Sequence, residues 1–391
     1  MQLINGIPVY GEPIDEGAFA QIQTCALTAD YVALMADHHK GYAVPIGGVV
    51  AYRDKISPSG VGFDIGCGNK AVCVDASAQE VRDNIRTIMD DIWNTLSFGV
   101  GQKNNVKVDH ELFDDPLFAV RPFSHWKQMA RDQLGTIGSG NHYVDIFTDE
   151  LDRVWIGVHF GSRGLGHKCA SHFLAQAGAK DGMDVAPCVL DVRSNLGQEY
   201  LAGMHLAGRY AYAGRDWVCQ RVAQLLGATI LEEVHNHHNF AWKEMHGNDE
   251  LWVVRKGATP AFPGQKGFIG GSMGENAVIV TGIASDDGQH TLYSTVHGAG
   301  RVMSRTAARG KTNRKTGAVI TPGAISWQMM DDWLNEAHVV LRGGGLDEAP
   351  QAYKRLPEVL HHHQDSIRVL HTLKPLGVAM AGANEFDPYK D

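Results

Sequence analysis

The chain has 391 residues, 44% hydrophobic and 20% charged, with a formal net charge of −9, so it can bury a sizeable core but cannot coat nucleic acid generally. Any contact with RNA or DNA must come from a local basic patch. Its six cysteines form no CxxC pair or small-domain disulfide framework, and no run of about 18 apolar residues appears, so a cytoplasmic protein without a membrane span is expected.

In chain order, apolar β-branched runs predict strands at 48–52 and 71–74. An amphipathic helix is expected over 78–96, opened by the capping pair Ser77 and Glu80. A strand follows at 154–158. A second helix is expected over 217–234, with Val218, Val222, Leu225 and Leu226 on one face. Strands at 251–254 and 277–280 precede a last helix over 356–372. Strands and helices do not alternate strictly and no repeat or long linker divides the chain, which points to an α+β fold.

Chemistry gathers in the turns. Asp64-Ile65-Gly66-Cys67-Gly68 carries a carboxylate and a thiol three residues apart, a spacing that can reach one metal or bridge two. His142 ends Gly138-Ser139-Gly140-Asn141-His142, His159 opens His159-Phe160-Gly161-Ser162-Arg163-Gly164, and His238 lies in His237-His238-Asn239. Each alone is more often a buried structural residue, but three such histidines beside an Asp/Cys turn point to a metal centre. Ligand softness leaves the metal open, since Cys and His suit zinc while Asp and phosphate oxygens suit manganese or magnesium. Asp37-His38-His39 is either a support for those ligands or a turn cap.

His297 sits in the small-residue turn His297-Gly298-Ala299-Gly300, followed by Arg301 and Arg305. An imidazole there can act as a nucleophile, and the arginines can hold phosphate oxygens. Arg305, Arg309, Lys311, Arg314 and Lys315 form either a local RNA contact or a solvated loop. Gly310-Lys311-Thr312 imitates the end of a phosphate-binding loop, but Arg305 stands where that motif needs glycine. The segment 267–274 is either a glycine cradle for phosphate or ribose, or a glycine-rich hairpin.

Taken in order, these motifs, with Arg255-Lys256-Gly257-Ala258, Gly271-Ser272-Met273-Gly274, Glu348-Ala349-Pro350 and Tyr353-Lys354, resemble those of the RtcB-type RNA ligases over almost the whole chain. The resemblance implies one large α+β domain over 1–391, with mixed sheets flanked by helices. It implies two manganese ions, bridged by Cys67, with Asp64 and His142 on one and His159 and His238 on the other. His297 would take GMP from GTP. Asn141, His142, Asp145, His238, Asn239, Gly270, Gly271, Ser272, Met273, Gly298, Ala299, Gly300 and Tyr353 would surround the nucleotide, with Tyr353 stacked on the purine. The guanylyl group would pass to an RNA 3′-phosphate, opened first from a 2′,3′-cyclic phosphate where needed. A 5′-hydroxyl end would then displace GMP. An archease-like activator is an implied partner.

The chain also departs from the pattern it resembles. Asp145 stands for a glutamate, Gly270 for a proline, Ala277 for a serine, and Ala381 for the lysine expected to contact GMP. Relaxed guanine selectivity is therefore expected, unless Glu385 or Lys390 of the C-terminal extension replaces the lost contact. Two other readings are a metal-dependent RNA-end phosphohydrolase that does not ligate, and a non-catalytic RNA-end-binding protein. Retention of His297 favours the ligase, because neither alternative needs that nucleophile.

Overall fold

The computed structural model describes residues 1–180, 182–312, 316, 319–383 and 385. Two large sheets organise the chain. In the larger, the spatial order is Ile230–His237, Gly68–Val74, Val154–Phe160, Tyr143–Thr148, Ile367–Gly382, Ala277–Gly282 and Lys266–Ile269, all antiparallel where their register is defined. Val340–Gly344 pairs with Ile367–Gly382 in parallel. The smaller sheet runs Gln2–Ile4, Ile7–Val9, Tyr31–His39, Ile46–Tyr52, Asp249–Lys256 and Asn239–His246.

Both faces of the larger sheet are covered, so its central strands read as nearly unbroken apolar runs. Every residue of Gly68–Val74 and Val154–Phe160 is buried. Side chains alternate between faces with a period of two. Val72, Val74, Ile156 and Val158 pack against Met89 and Ile92 of one helix and Val218 and Val222 of another. Ala71, Cys73 and Trp155 face Phe268, Ile279 and Leu373 on the other side.

The expected strands are present, and the helix Ala78–Thr95 starts where Ser77 accepts from the Glu80 N–H. Two helix expectations need correction. The helix expected over 217–234 is the end of a much longer one, Asn195–Leu225, and residues 230–234 belong to a strand. Gly227, with φ +64°, ends that helical path. Its earlier turns are hard to read because Gly197, Gly203, Gly208 and Gly214 interrupt the apolar period; a side chain at Gly208 would strike the Phe240 ring. The helix expected over 356–372 is only Leu356–His361. Beyond it, β-branched Ile367, Val369 and Thr372 pair with Ala277–Gly282.

Register explains why the turn motifs meet. Gly68 pairs with both Phe160 and His237, and Tyr143 pairs with His159. Cys67, His142 and His159 are thereby brought to one edge of neighbouring strands. His238 is the single residue between Ile230–His237 of one sheet and Asn239–His246 of the other. Among the described residues, no helix is long and apolar enough to cross a membrane.

Candidate functional site

A cavity of about 560 Å³ opens at this edge. Every residue assigned above to metal or nucleotide lines it: Asp64, Cys67, Asn141, His142, Asp145, His159, His238, Asn239, Gly270, Gly271, Ser272, Met273, His297, Gly298, Ala299, Gly300 and Tyr353. The segment 267–274 reconciles its two readings. Lys266–Ile269 and Ala277–Gly282 form a hairpin, and its connection supplies Gly270 to Met273 to the wall.

The donor atoms form two groups that share one thiol. Cys67, His159 and His238 make the first; Asp64, Cys67 and His142 make the second. Cys67 Sγ lies 3.3 Å from His159 Nε2 and 3.7 Å from His142 Nε2. His159 and His238 bring their Nε2 atoms within 3.2 Å. The His159 Nδ1–H donates to the Asn141 carbonyl at 3.0 Å, so its Nε2 presents a lone pair to Cys67. Asp64 Oδ2 is 3.1 Å from His142 Nε2, yet the two are not in hydrogen-bond geometry. His142 Nδ1 faces both the Ile137 carbonyl at 3.0 Å and Arg163 Nη1 at 3.1 Å.

Electrostatics agree with a cation-binding set. Burial, reinforced by neighbouring histidines, holds His159 and His238 well below the usual imidazole range, which favours the neutral form a metal ligand needs. Burial works against the Asp64 carboxylate, but His142 and Arg163 outweigh it and bring that group down to about 2. Burial, with Asp64 beside it, pushes the Cys67 thiol up; a coordinated divalent cation would stabilise the thiolate instead. Converging acceptors, one thiol and a carboxylate oxygen without a hydrogen bond among the described residues fit a divalent pair.

His297 stands next to the first group, its ring centroid 4.7 Å from that of His238. Asp37 Oδ2 receives both the His297 backbone N–H at 3.0 Å and Nδ1 at 2.6 Å. Burial opposes the Asp37 charge, but His297 and then Lys354 overcome it, and the carboxyl stays below its usual range. A carboxylate on Nδ1 fixes the tautomer that leaves Nε2 unprotonated, the form a nucleophile needs. Gly300 makes this approach possible: its φ is +75°, and any side chain there would strike the Asp37 backbone. Among the described residues no hydrogen bond joins the Asp37-His38-His39 cluster to the candidate metal donors. Asp37 serves His297, while His38 ties the Met35 carbonyl to the Asp15 N–H. Asp37→Asn is expected to slow reaction at His297 by roughly 10²-fold or more, by losing the negative acceptor and the tautomer control. Single-turnover labelling of His297 checks this, and a rate within a few-fold of the parent would contradict it.

The arginines are already engaged. Arg301 donates to the Asp347 carbonyl at 2.6 Å and Tyr353 Oη at 3.0 Å, and its guanidinium lies 4.8 Å from the Tyr353 ring centroid. Arg305 pairs with Glu348 and Asp347. These acids hold both cations at the wall, a role the sequence reading did not assign to Glu348. Lys256 is another unassigned wall residue. Its ammonium donates to the carbonyls of Tyr42 at 2.5 Å and Ser59 at 3.2 Å, and burial brings it down to about 8. Arg309 and Lys311 are exposed, whereas Arg314 and Lys315 lie outside the described residues.

Two of the four departures do not face the cavity. Ala277 packs with Phe147 and Trp155 in the core. Ala381 packs with Ala379 against the helical side, while Val378 and Met380 face the cavity. The two-residue strand period puts positions 379 and 381 on the opposite face. Gly270 does matter, since a side chain there would strike the Tyr143 hydroxyl. Asp145 lines the cavity with its Oδ1 unpartnered among the described residues, and burial pushes its carboxyl well up. Glu385 lies against Gly99 and is not part of the cavity wall; Lys390 lies outside the described residues.

The tRNA-splicing ligase RtcB family model matches residues 19–119 and 119–381. The chain belongs to the RtcB family. It is 30% identical to the RNA-splicing ligase RtcB of Escherichia coli K12, over 93% of this chain and 94% of that protein. It is also 30% identical to the tRNA-splicing ligase RtcB of Thermococcus kodakarensis, over 89% of this chain and 87% of that one. The corresponding Archaeoglobus fulgidus protein is 31% identical, over 88% and 86% respectively. The RtcB match covers the larger sheet to residue 381, the smaller sheet from Tyr31 onward, and every donor of the two candidate metal groups.

Proposed function

We propose that the chain is an RNA ligase that joins 3′-phosphate or 2′,3′-cyclic phosphate ends to 5′-hydroxyl ends through a guanylylated His297. The RNA- and tRNA-splicing ligase names of its relatives support the reaction class. The observation that carries the mechanism is Asp37 on His297 Nδ1, beside paired donor groups that share Cys67. With Nδ1 tied down, His297 Nε2 attacks the α-phosphorus of GTP and pyrophosphate leaves. The activated nucleotide passes to the RNA 3′-phosphate, and the 5′-hydroxyl then displaces GMP. Two divalent cations, manganese in this reading, would be held by Asp64, Cys67 and His142 and by Cys67, His159 and His238. When bound they supply charge neutralisation of phosphate oxygens and alignment for in-line attack. The Gly298–Ala299–Gly300 turn and the Gly270–Gly271 connection let the nucleotide approach the backbone, and Tyr353 stacks on the purine. An archease-like activator fits the same reading.

The test is incubation with manganese and α-labelled GTP. A covalent adduct that is lost in acid and stable in base is expected, as for a phosphoramidate. Absence of any adduct would favour the phosphohydrolase or the RNA-end-binding alternative.

Nucleotide choice follows from Asp145. Burial favours the protonated form of the Asp145 carboxyl, which offers one donor and one acceptor. Guanine presents N1–H and O6 to it, and adenine N6–H and N1, so both purines can pair. Adduct formation from ATP is expected within roughly tenfold of that from GTP, rather than the 10⁴-fold or greater rejection of a strictly complementary polar site. Competition between the two labelled nucleotides measures this, and a thousandfold preference for GTP would contradict it.

A further inference from the structure

We infer that Arg215 is a positioning residue that sets one of the two cation subsites, the one built from Cys67, His159 and His238. The inference rests on the two-cation reading above. Arg215 lies in the helix Asn195–Leu225 and is completely buried. Its Nη1 donates to the Gly66 carbonyl at 2.9 Å and to the Phe160 carbonyl. Nη2 lies 3.0 Å from His237 Nδ1, and Nε donates to His235 Nε2 at 2.8 Å. The guanidinium also sits 5.3 Å from the Tyr212 ring centroid.

Gly66, Phe160 and His237 are the chain neighbours of Cys67, His159 and His238. One planar group thus touches the residue beside each donor of the first candidate group, and it does so from three separate segments. The second group is served differently: His142 meets Arg163 and the Ile137 carbonyl, and among the described residues Asp64 makes no hydrogen bond to Arg215. Among the described residues no carboxylate hydrogen-bonds to Arg215. A buried cation without such a partner is a costly choice for stability alone. Its fork instead reaches two backbone carbonyls and the His237 ring at once, which a point-charge ammonium cannot reproduce. Outer residues that fix ligand direction commonly change metal affinity by about 10–100-fold.

The experiment titrates the full chain with manganese by calorimetry and with cobalt(II) by absorption, comparing the parent, Arg215→Lys and His142→Ala. Thermal unfolding of each metal-free protein is measured alongside. The parent should bind two equivalents. Arg215→Lys should weaken the first subsite by at least about tenfold and the second, which shares only Cys67 with it, by much less, with the cobalt–thiolate band retained because Cys67 still serves the second group. His142→Ala should weaken the opposite subsite, and combining the two changes should weaken both. Two equivalents at parent affinity in folded Arg215→Lys would overturn the inference. So would an equal loss at both subsites accompanied by a lowered metal-free Tm, which marks a general structural role. A parent that binds fewer than two equivalents would overturn the two-cation reading itself. Should Arg215→Lys fail to fold, His237→Gln, which removes one contact of the fork, is titrated instead. A weakened first subsite is then expected, and undiminished binding overturns the inference.

Discussion

His297→Ala is expected to abolish covalent nucleotide attachment, a loss on the order of 10³-fold or more, while leaving divalent-cation binding almost unchanged. The two halves have separate causes. His297 belongs to neither donor group, so its removal takes no ligand from a cation. Its imidazole is nevertheless the group whose Nδ1 is fixed by buried Asp37 and whose ring adjoins His238. Removing the ring also leaves Asp37 with one hydrogen-bond donor fewer in a buried place, so a modest fall in thermal stability of about 1–3 kcal/mol is expected. Labelled GTP with denaturing electrophoresis reads the first half, and metal titration reads the second. An adduct formed at the parent rate would remove His297 from the mechanism.

Cys67→Ala should disrupt both cation positions together, because its Sγ is the one atom common to the two groups. His238→Ala should weaken one, since it belongs only to the first group. The contrast matters more than either value. If a bridging thiolate is lost, the remaining ligands are a carboxylate and an imidazole on one side and two imidazoles on the other, too few for tight binding. Equilibrium dialysis against manganese measures the equivalents retained by each variant. Two undiminished equivalents in Cys67→Ala would rule out the bridge, and an equal loss in both variants would rule out the division into two groups.

Much of this site was legible because its residues sit in turns that carry unusual combinations. Cys67 within Asp64-Ile65-Gly66-Cys67-Gly68, His142 and His238 beside asparagine, and His159 two residues before Gly161 stand out before any fold is known. Antiparallel register then gathers them at one edge, through pairings such as Gly68 with Phe160 and Tyr143 with His159. What was not legible depends on distance along the chain. Asp37 and His297 are 260 positions apart, so nothing local marks that carboxylate as the partner of that imidazole. Arg215 is hidden for a similar reason: it lies in a helix whose glycines blur the apolar period, and its partners come from three other segments.

Strand facing was the other gap. A list of residues near a nucleotide does not say which alternate positions point inward. Val378 and Met380 face the cavity, while Ala379 and Ala381 face the helices. The sequence contrast at Ala277 and Ala381 therefore carries less weight for nucleotide choice than the contrast at Asp145. The helix expected over 356–372 failed for a related physical reason. Leu356–His361 is helical, but Ile367–Gly382 gains more by completing the larger sheet than by continuing a helix.

In the proposed reaction the phosphate of one RNA end becomes the bridge to the next. The most direct measurement uses two oligoribonucleotides, one with a 32P-labelled 3′-phosphate and one with a 5′-hydroxyl, incubated with the full chain, manganese and GTP. A joined product is expected, its label resistant to phosphatase and within the new internucleotide bond. Release of the label as inorganic phosphate, or full recovery of both unjoined strands, would contradict that reaction.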